Sequence, residues 1–282
     1  MFILFFFMVF LMSLFVLMVN NIFFWWGVFL VMTLLIVFMN KKVMSYSSVF
    51  NYFVLQESLG LMFLLLFFSF FPVLILMVKI GVAPFHFWLF KVVGGMYGFN
   101  LVWFLTIHKF PFLLVFLQLF FLNLVFFLLI GMVLCLFQLF TMKSFKSMVV
   151  ISSLESFNWV LVGLVMSFFN MFYLFFYYLI LMMFLIYKFD VVSSLGVKFS
   201  WELVLVFMNI PFGVGFFIKI FMLMEFLKSF GVYMILIMLM MFMGVLSLSF
   251  WLVILSTKGF LFNKYNVVFM VYSFPLMVLV LL

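Results

Sequence analysis

Long apolar stretches, each broken by a few polar, glycine or proline positions, run through the chain from end to end. Stretches long enough to cross a hydrocarbon core about 30 Å thick lie at 2–19, 22–39, 50–71, 73–90, 98–119, 121–140, 147–166, 168–188, 203–228, 231–256 and 266–282. This pattern predicts about eleven transmembrane helices joined by short turns. The expected fold is an all-α polytopic membrane protein, a single membrane domain over residues 1–282. The first stretch has no basic residue ahead of it and no small-residue cleavage site behind it, so it reads as a retained span and not as a signal peptide.

The lysines between the stretches are unevenly divided. Lys41, Lys42, Lys91, Lys143, Lys146, Lys188, Lys198, Lys258 and Lys264 all follow even-numbered stretches, on the side of the N-terminus, whereas Lys228 alone lies in a turn on the other side. By the positive-inside rule the lysine-rich side faces the inner compartment and the C-terminus faces outward. Lysines that merely marked loops would fall about equally on both sides. The outer turns, near Asn20-Asn21, Pro72, Gln118 to Phe120, Ser167 to Asn170 and Ser229-Phe230, leave little outer surface for a ligand domain.

Composition narrows the picture further. Of the 282 residues 73% are hydrophobic and 6% charged, far below the roughly 25% charge of soluble domains, which excludes a water-soluble fold. The net charge of +8 resembles a nucleic-acid signature until the lysines are placed, and their segregation assigns it to topology, with no nucleic-acid partner. The one cysteine, Cys135, sits in an apolar run and cannot by itself supply a disulfide, an iron–sulfur cluster or a structural zinc site. Redox chemistry, if any, belongs to partners. All 13 basic residues are lysine, Ala83 is the only alanine, and phenylalanine occurs 54 times. Membrane physics does not ask for that, since small residues serve helix contacts well. A T-rich, C-poor gene, as in compact mitochondrial genomes, would account for it, and the base composition of the gene tests the idea. The phenylalanines and 27 methionines form no quinone or haem box and read as lipid-facing and packing residues.

A charge at the bilayer centre costs about 2.5–3.5 kcal/mol even on lenient scales and commonly marks an ion or proton path. Three lysines lie within spans. Lys79 stands in Val78-Lys79-Ile80-Gly81-Val82-Ala83-Pro84-Phe85-His86, where glycine and proline open the helix, and Lys219 follows Pro211, Gly213 and Gly215. These two segments belong to the fourth and ninth spans, five apart and therefore opposite in direction. Gly/Pro-broken helices in corresponding positions of two inverted halves point to a transport site near the midplane. The halves would be about 1–119 and 121–256, with a last helix at about 266–282. An opened helix holds water, and an amine in such a partly dry site can take up and release protons. The competing reading has each lysine snorkel to an interface.

Lys109 lies midway along the fifth span, in Thr106-Ile107-His108-Lys109-Phe110-Pro111, and is favoured as a relay over its neighbour. His108 and Lys109 would point about 100° apart on a continuous helix. His108 reads either as a proton carrier or as a hydrogen-bonded core histidine, and His86 has the same two readings. Of the acids, Asp190 and Glu202 belong to an inner loop near Lys188 and Lys198, and Glu225 near the outer end can face Lys228. Glu57 and Glu155 lie deeper, and each either tunes a buried lysine or does not.

These residues resemble a known family: chain 2 of the mitochondrial NADH–ubiquinone oxidoreductase, respiratory complex I, one of its antiporter-like membrane subunits. Lys79-Ile-Gly-Val-Ala-Pro-Phe-His-Phe-Trp88 resembles the family's Lys-x-Gly-x-Ala-Pro-Phe-His-Phe-Trp segment. Thr106 to Pro111 is similar to Thr-x-x-Lys-x-x-Pro with the proline one residue early. Pro211 to Lys219 resembles Pro-x-x-x-Gly-Phe-x-x-Lys, and Ser152-Ser153-Leu154 to Trp159 resembles Ser-Ser-Ile-x-x-x-x-Trp. The likeness runs from about the second span through the ninth. It implies the eleven-helix form of an antiporter-like fold, with Lys79, Lys109 and Lys219 as central proton-relay lysines, while Glu57, Glu155 and His108 stay candidate tuning or relay groups on the residue reading above. It also implies a mitochondrial inner-membrane location, with the N-terminus in the matrix and the C-terminus toward the intermembrane space. No electron carrier would sit in this chain. FMN, iron–sulfur clusters and ubiquinone would belong to partner subunits, and the chain's own partners would be neighbouring antiporter-like subunits and membrane lipids.

Two departures from the family pattern stand out. A glutamate expected in the second span, after Trp-x-Gly, is replaced by Phe29, which makes Glu57 the expected substitute partner of Lys79. A family histidine in the seventh span is replaced by Ser156. Two other function classes remain open on the residues. A stand-alone cation/proton antiporter would want a carboxylate-rich site, which three scattered intramembrane acids serve poorly. A purely structural subunit would use its lysines only to hold helices together.

Overall fold

The computed structural model describes residues 2–41, 46–67, 70–119, 124–142 and 144–166, with scattered short stretches between 175 and 249. Nine helices are delimited among the described residues, and no strand. They are α1 (Phe2–Met18), α2 (Ile22–Asn40), α3 (Tyr46–Leu65), α4 (Phe71–Ile80), α5 (Phe87–Val93), α6 (Phe99–Leu105), α7 (Lys109–Gln118), α8 (Val125–Thr141) and α9 (Phe145–Met166). The chain forms two compact units, Met1–Gly131 and Met132–Leu282. Ile22–Asn40, Tyr46–Leu65, Phe99–Gln118 and Lys146–Leu164 are each long and apolar enough to cross a membrane.

The expected spans up to residue 166 all coincide with helices, but two of them are built from a pair. The fourth span is α4 plus α5, and the fifth is α6 plus α7. The spans expected from 168 onward, including the Gly/Pro break before Lys219, lie outside the described residues apart from isolated helical positions. The third helix is shifted toward the N-terminus relative to the expected 50–71, because Pro72 opens α4, in whose first turn a missing N–H costs nothing.

The break after α4 has a clear cause. Gly81 caps the helix with φ +73°, and the N–H groups of Gly81 and Val82 turn back to the last carbonyls, Val82 N to Met77 O at 2.9 Å. A Cβ on Gly81 would lie 2.6 Å from Leu89 Cδ1. Trp88 Nε1 then donates to Val78 O at 2.9 Å, tying the start of α5 back to the end of α4. Gly81→Ala is expected to destabilise this turn by about 1–2 kcal/mol through the left-handed backbone alone, before the Leu89 overlap. A thermal melt of the detergent-solubilised protein checks this, and an unchanged midpoint would refute it.

The break between α6 and α7 falls at Thr106–His108 and not at Pro111 itself. Proline lacks an N–H and its ring collides with the carbonyl four residues earlier, here Ile107, so the disruption appears one turn upstream. The hydrogen bonds re-route accordingly: His108 N reaches back to Trp103 O, while Lys109 N and Phe110 N close tighter turns on Thr106 O and Ile107 O.

The helix α3 is patterned inside out. Its buried face carries Ser48, Tyr52, Gln56, Gly60 and Phe63 at helical spacing, whereas Phe50, Phe53, Val54, Leu61, Met62 and Leu65 are exposed. That is the arrangement a lipid solvent demands, since polar side chains must find partners inside the bundle. The first unit packs around α7, which meets α1, α2 and α4, while α3 meets α2, α4 and α5. Lys79, Lys109 and His108 thus enter the interior of one helical unit.

Candidate functional site

Lys79 lies in the last turn of α4 and is 3% exposed. Its Nζ donates to Gln56 O at 2.8 Å, and Gln56 Nε2 donates back to Lys79 O at 3.2 Å, so α3 and α4 are joined by a reciprocal pair. The same amine lies 5.0 Å from the ring centroid of Phe29 and 5.9 Å from that of Phe112, two rings stacked 5.0 Å apart. Gly60 makes room for it, since a Cβ there would stand 3.5 Å from Nζ and 3.3 Å from Trp26 Nε1. The amine is therefore held by one carbonyl and two aromatic faces, a setting that accepts a cation without a carboxylate in contact.

Glu57 does not form the expected ion pair with Lys79. Its Oε1 instead accepts from Thr33 Oγ1 at 2.8 Å, and its side chain is half-buried between α2 and α3. The reason is helical geometry: Gln56 and Glu57 are adjacent, about 100° apart around α3, so Gln56 faces α4 while Glu57 turns to α2. Glu57 still acts on Lys79 through space as the nearby opposite charge. Phe29, at the position where the family pattern has a glutamate, presents its ring to the Lys79 amine.

His108 and Lys109 sit at the α6–α7 break, 4% and 3% exposed. The expectation that the two must diverge holds for a continuous helix, and His108 lies in the turn ahead of α7, which frees both to face inward. His108 Nε2 is 2.8 Å from Tyr52 OH on α3. Its ring stacks on Phe104 and meets Phe112 edge-on at 5.2 Å. His86, fully buried ahead of α5, stacks on Phe87 with ring centroids 4.9 Å apart.

In the second unit, Lys219 is 4% exposed and donates to Glu155 Oε1 on α9 at 3.1 Å. This is the pairing in which a deep carboxylate meets a deep amine. Ser156 turns its hydroxyl to the carbonyls of Ser152 and Ser153 in its own helix, so the residue standing in for the family histidine is engaged there. Lys228 is exposed. Asp190, Glu202 and Glu225 lie outside the described residues.

Tyr52, Gln56, Thr33 and Phe112 are contacts that sequence reasoning did not single out. The signal for the first two was present: Tyr52, Gln56 and Gly60 are spaced by four along α3, a polar and small stripe in an otherwise apolar helix.

Three buried lysines, two of them at helix breaks and the third paired with a buried carboxylate, agree with the motif-level likeness, and whole-chain comparison gives the same answer. No family profile matches the sequence. The NADH-ubiquinone oxidoreductase chain 2 of Caenorhabditis elegans is 48% identical over 233 residues, 82% of this chain and 82% of the relative. That of Ascaris suum is 47% identical over 253 residues, 89% of this chain and 83% of the relative. With identity at that level spread over most of both chains, and with apolar helices throughout the described residues, this membrane protein belongs to the NADH-ubiquinone oxidoreductase chain 2 family.

Proposed function

We propose that the chain is a proton-translocating membrane-arm subunit of the respiratory NADH:ubiquinone oxidoreductase, relaying protons through Lys79, Lys109 and Lys219. The observation that carries this reading is the burial of all three amines, each 3–4% exposed, among described helices that leave many large apolar side chains exposed. Amines are not kept in such places for solubility, and snorkelling would have left their heads accessible. Lys79 and Lys109 each border an interrupted helix, where freed backbone groups can hold water. Glu155 biases Lys219 through their direct contact, and Glu57, turned to α2, bears on Lys79 only as a charge on the neighbouring helix. Like charges in a low-dielectric path repel, so a proton shift at one lysine alters the next.

In this reading the chain has about eleven spans, in two inverted five-helix halves at about 1–119 and 121–256 with a final helix at 266–282. It lies in the mitochondrial inner membrane with its N-terminus in the matrix, beside other antiporter-like subunits and lipids. It carries no electron carrier of its own, and FMN, iron–sulfur clusters and ubiquinone reside in partner subunits. A native gel of gently solubilised membranes tests the placement. The chain is expected to co-migrate with NADH-oxidising activity in a very large assembly, and a small, activity-free band from intact membranes would favour a stand-alone antiporter.

A further inference from the structure

We infer that the groove between the end of α2 and the start of α3 binds one anionic phospholipid, its phosphate against Lys41 and an acyl chain along Phe50 and Phe53. The inference needs only the membrane location of the chain and does not depend on the relay reading. A cavity of about 640 Å³ opens here, within the first unit. Its body is apolar, formed by Val37 of α2 and by Val49, Phe50 and Phe53 of α3. Its polar groups are Lys41, which caps α2, and Tyr46 and Ser47, the first two residues of α3.

Helical spacing sorts these residues by depth. Tyr46, Val49, Phe50 and Phe53 share one face of α3, and Val37 and Lys41 are four apart on α2, which packs against it. The polar groups therefore gather at one end of the groove. From Tyr46 to Phe53 the apolar wall runs about 10 Å along the helix axis. A charged head followed by a hydrocarbon tail has the same order of parts.

Charge selects the kind of lipid. Lys41 is exposed and has no ion-pair partner among the described residues. The chain has no acidic residue before Glu57, and Lys42 follows Lys41 directly in the sequence. A phosphate carrying a net negative charge supplies the missing counter-ion, whereas a zwitterionic lipid brings its own cation to the same place. Tyr46, of the residue type found at headgroup level, adds a hydroxyl at that end. Deeper in, Phe50 and Phe53 are exposed, and a groove left unfilled forfeits dispersion contacts along its walls. A partner helix would fill the apolar body but leave Lys41 without its anion.

The test places the solubilised protein, with the subunits that co-purify, in phosphatidylcholine vesicles containing a minority of phosphatidylglycerol. The probe is a phosphatidylglycerol with a photoreactive group on its acyl chain, and mass spectrometry locates the adducts. They are expected between Val37 and Phe53 and should fall about fivefold in Lys41→Gln, the effect of one cation at a lipid surface. Lys91→Gln removes an exposed lysine of α5 outside the groove and should change nothing. Val37→Phe narrows the apolar body, keeps the charge, and should also lower the yield. A photoreactive phosphatidylcholine should label the groove less and be indifferent to Lys41→Gln. Equal labelling by both lipids, unmoved by Lys41→Gln, would reduce the groove to ordinary lipid contact and overturn the proposal. Adducts elsewhere but none on these residues would overturn it in favour of a covering partner chain, and displacement of the probe by inorganic phosphate would overturn the acyl-chain seat. Should Lys41→Gln not assemble, the comparison of the two lipids on the wild-type protein decides.

Discussion

Glu155→Gln should cost this chain both assembly and proton movement. Lys219 and Glu155 are buried at 4% and 2% exposure, and their 3.1 Å contact is what makes either charge tolerable there. Removing one partner of a buried ion pair leaves the other uncompensated and costs about 3–5 kcal/mol, a large share of the stability of most proteins. The glutamine still offers an oxygen to Lys219, which places the expected cost at the lower end of that range. The amount of intact assembly on a native gel should fall, and the assembly that remains should move fewer protons per NADH.

A second variant separates stability from relay. Glu155→Leu with Lys219→Met removes both charges, and replacing a buried pair by apolar side chains is often neutral or stabilising. Assembly should return while proton movement stays low. Recovery of both would mean that the pair only holds the helices together, and wild-type behaviour of Glu155→Gln would show that the carboxylate does not compensate Lys219 at all.

The contrast between the surroundings of Lys79 and those of Lys219 shows what a sequence can reveal. Apolar run length located the helical stretches up to residue 166, four of which are long and apolar enough to cross a membrane. Glycine and proline next to Lys79 marked the α4–α5 break, since both act on the backbone locally and need no tertiary knowledge. The partner of Lys79 was another matter. Depth and charge pointed to Glu57, but which face of α3 meets α4 depends on packing, and a one-residue difference moved the contact to the Gln56 backbone carbonyl. No side-chain pattern announces a backbone acceptor. Phe29 was read as a missing carboxylate, and only the positions of three helices reveal that its ring faces the Lys79 amine. The pairing of Lys219 with Glu155 spans 64 residues of chain, and depth was its sole advance signal.

Lys79→Met should leave the helices in place and abolish the contribution of this end of the chain to proton movement. Methionine matches lysine in length and flexibility, and a thioether against Phe29 and Phe112 makes favourable sulfur–aromatic contacts. The loss on the structural side is Gln56 O, which forfeits its 2.8 Å donor at a cost of about 1–3 kcal/mol. Relief from burying an ammonium works in the opposite direction, so assembly should stay near normal. Any fall in protons per NADH is then due to the missing charge. Phe29→Leu supplies a graded control: it keeps the site apolar and the amine present, but removes the closer of the two ring faces, worth about 0.5–2 kcal/mol to the cation. Its ratio should fall between wild type and Lys79→Met. A normal ratio in Lys79→Met, in an assembly of normal abundance, would mean that this buried amine serves only to join α3 to α4 through Gln56. In that event the two aromatic faces would be packing around a structural cation and nothing more.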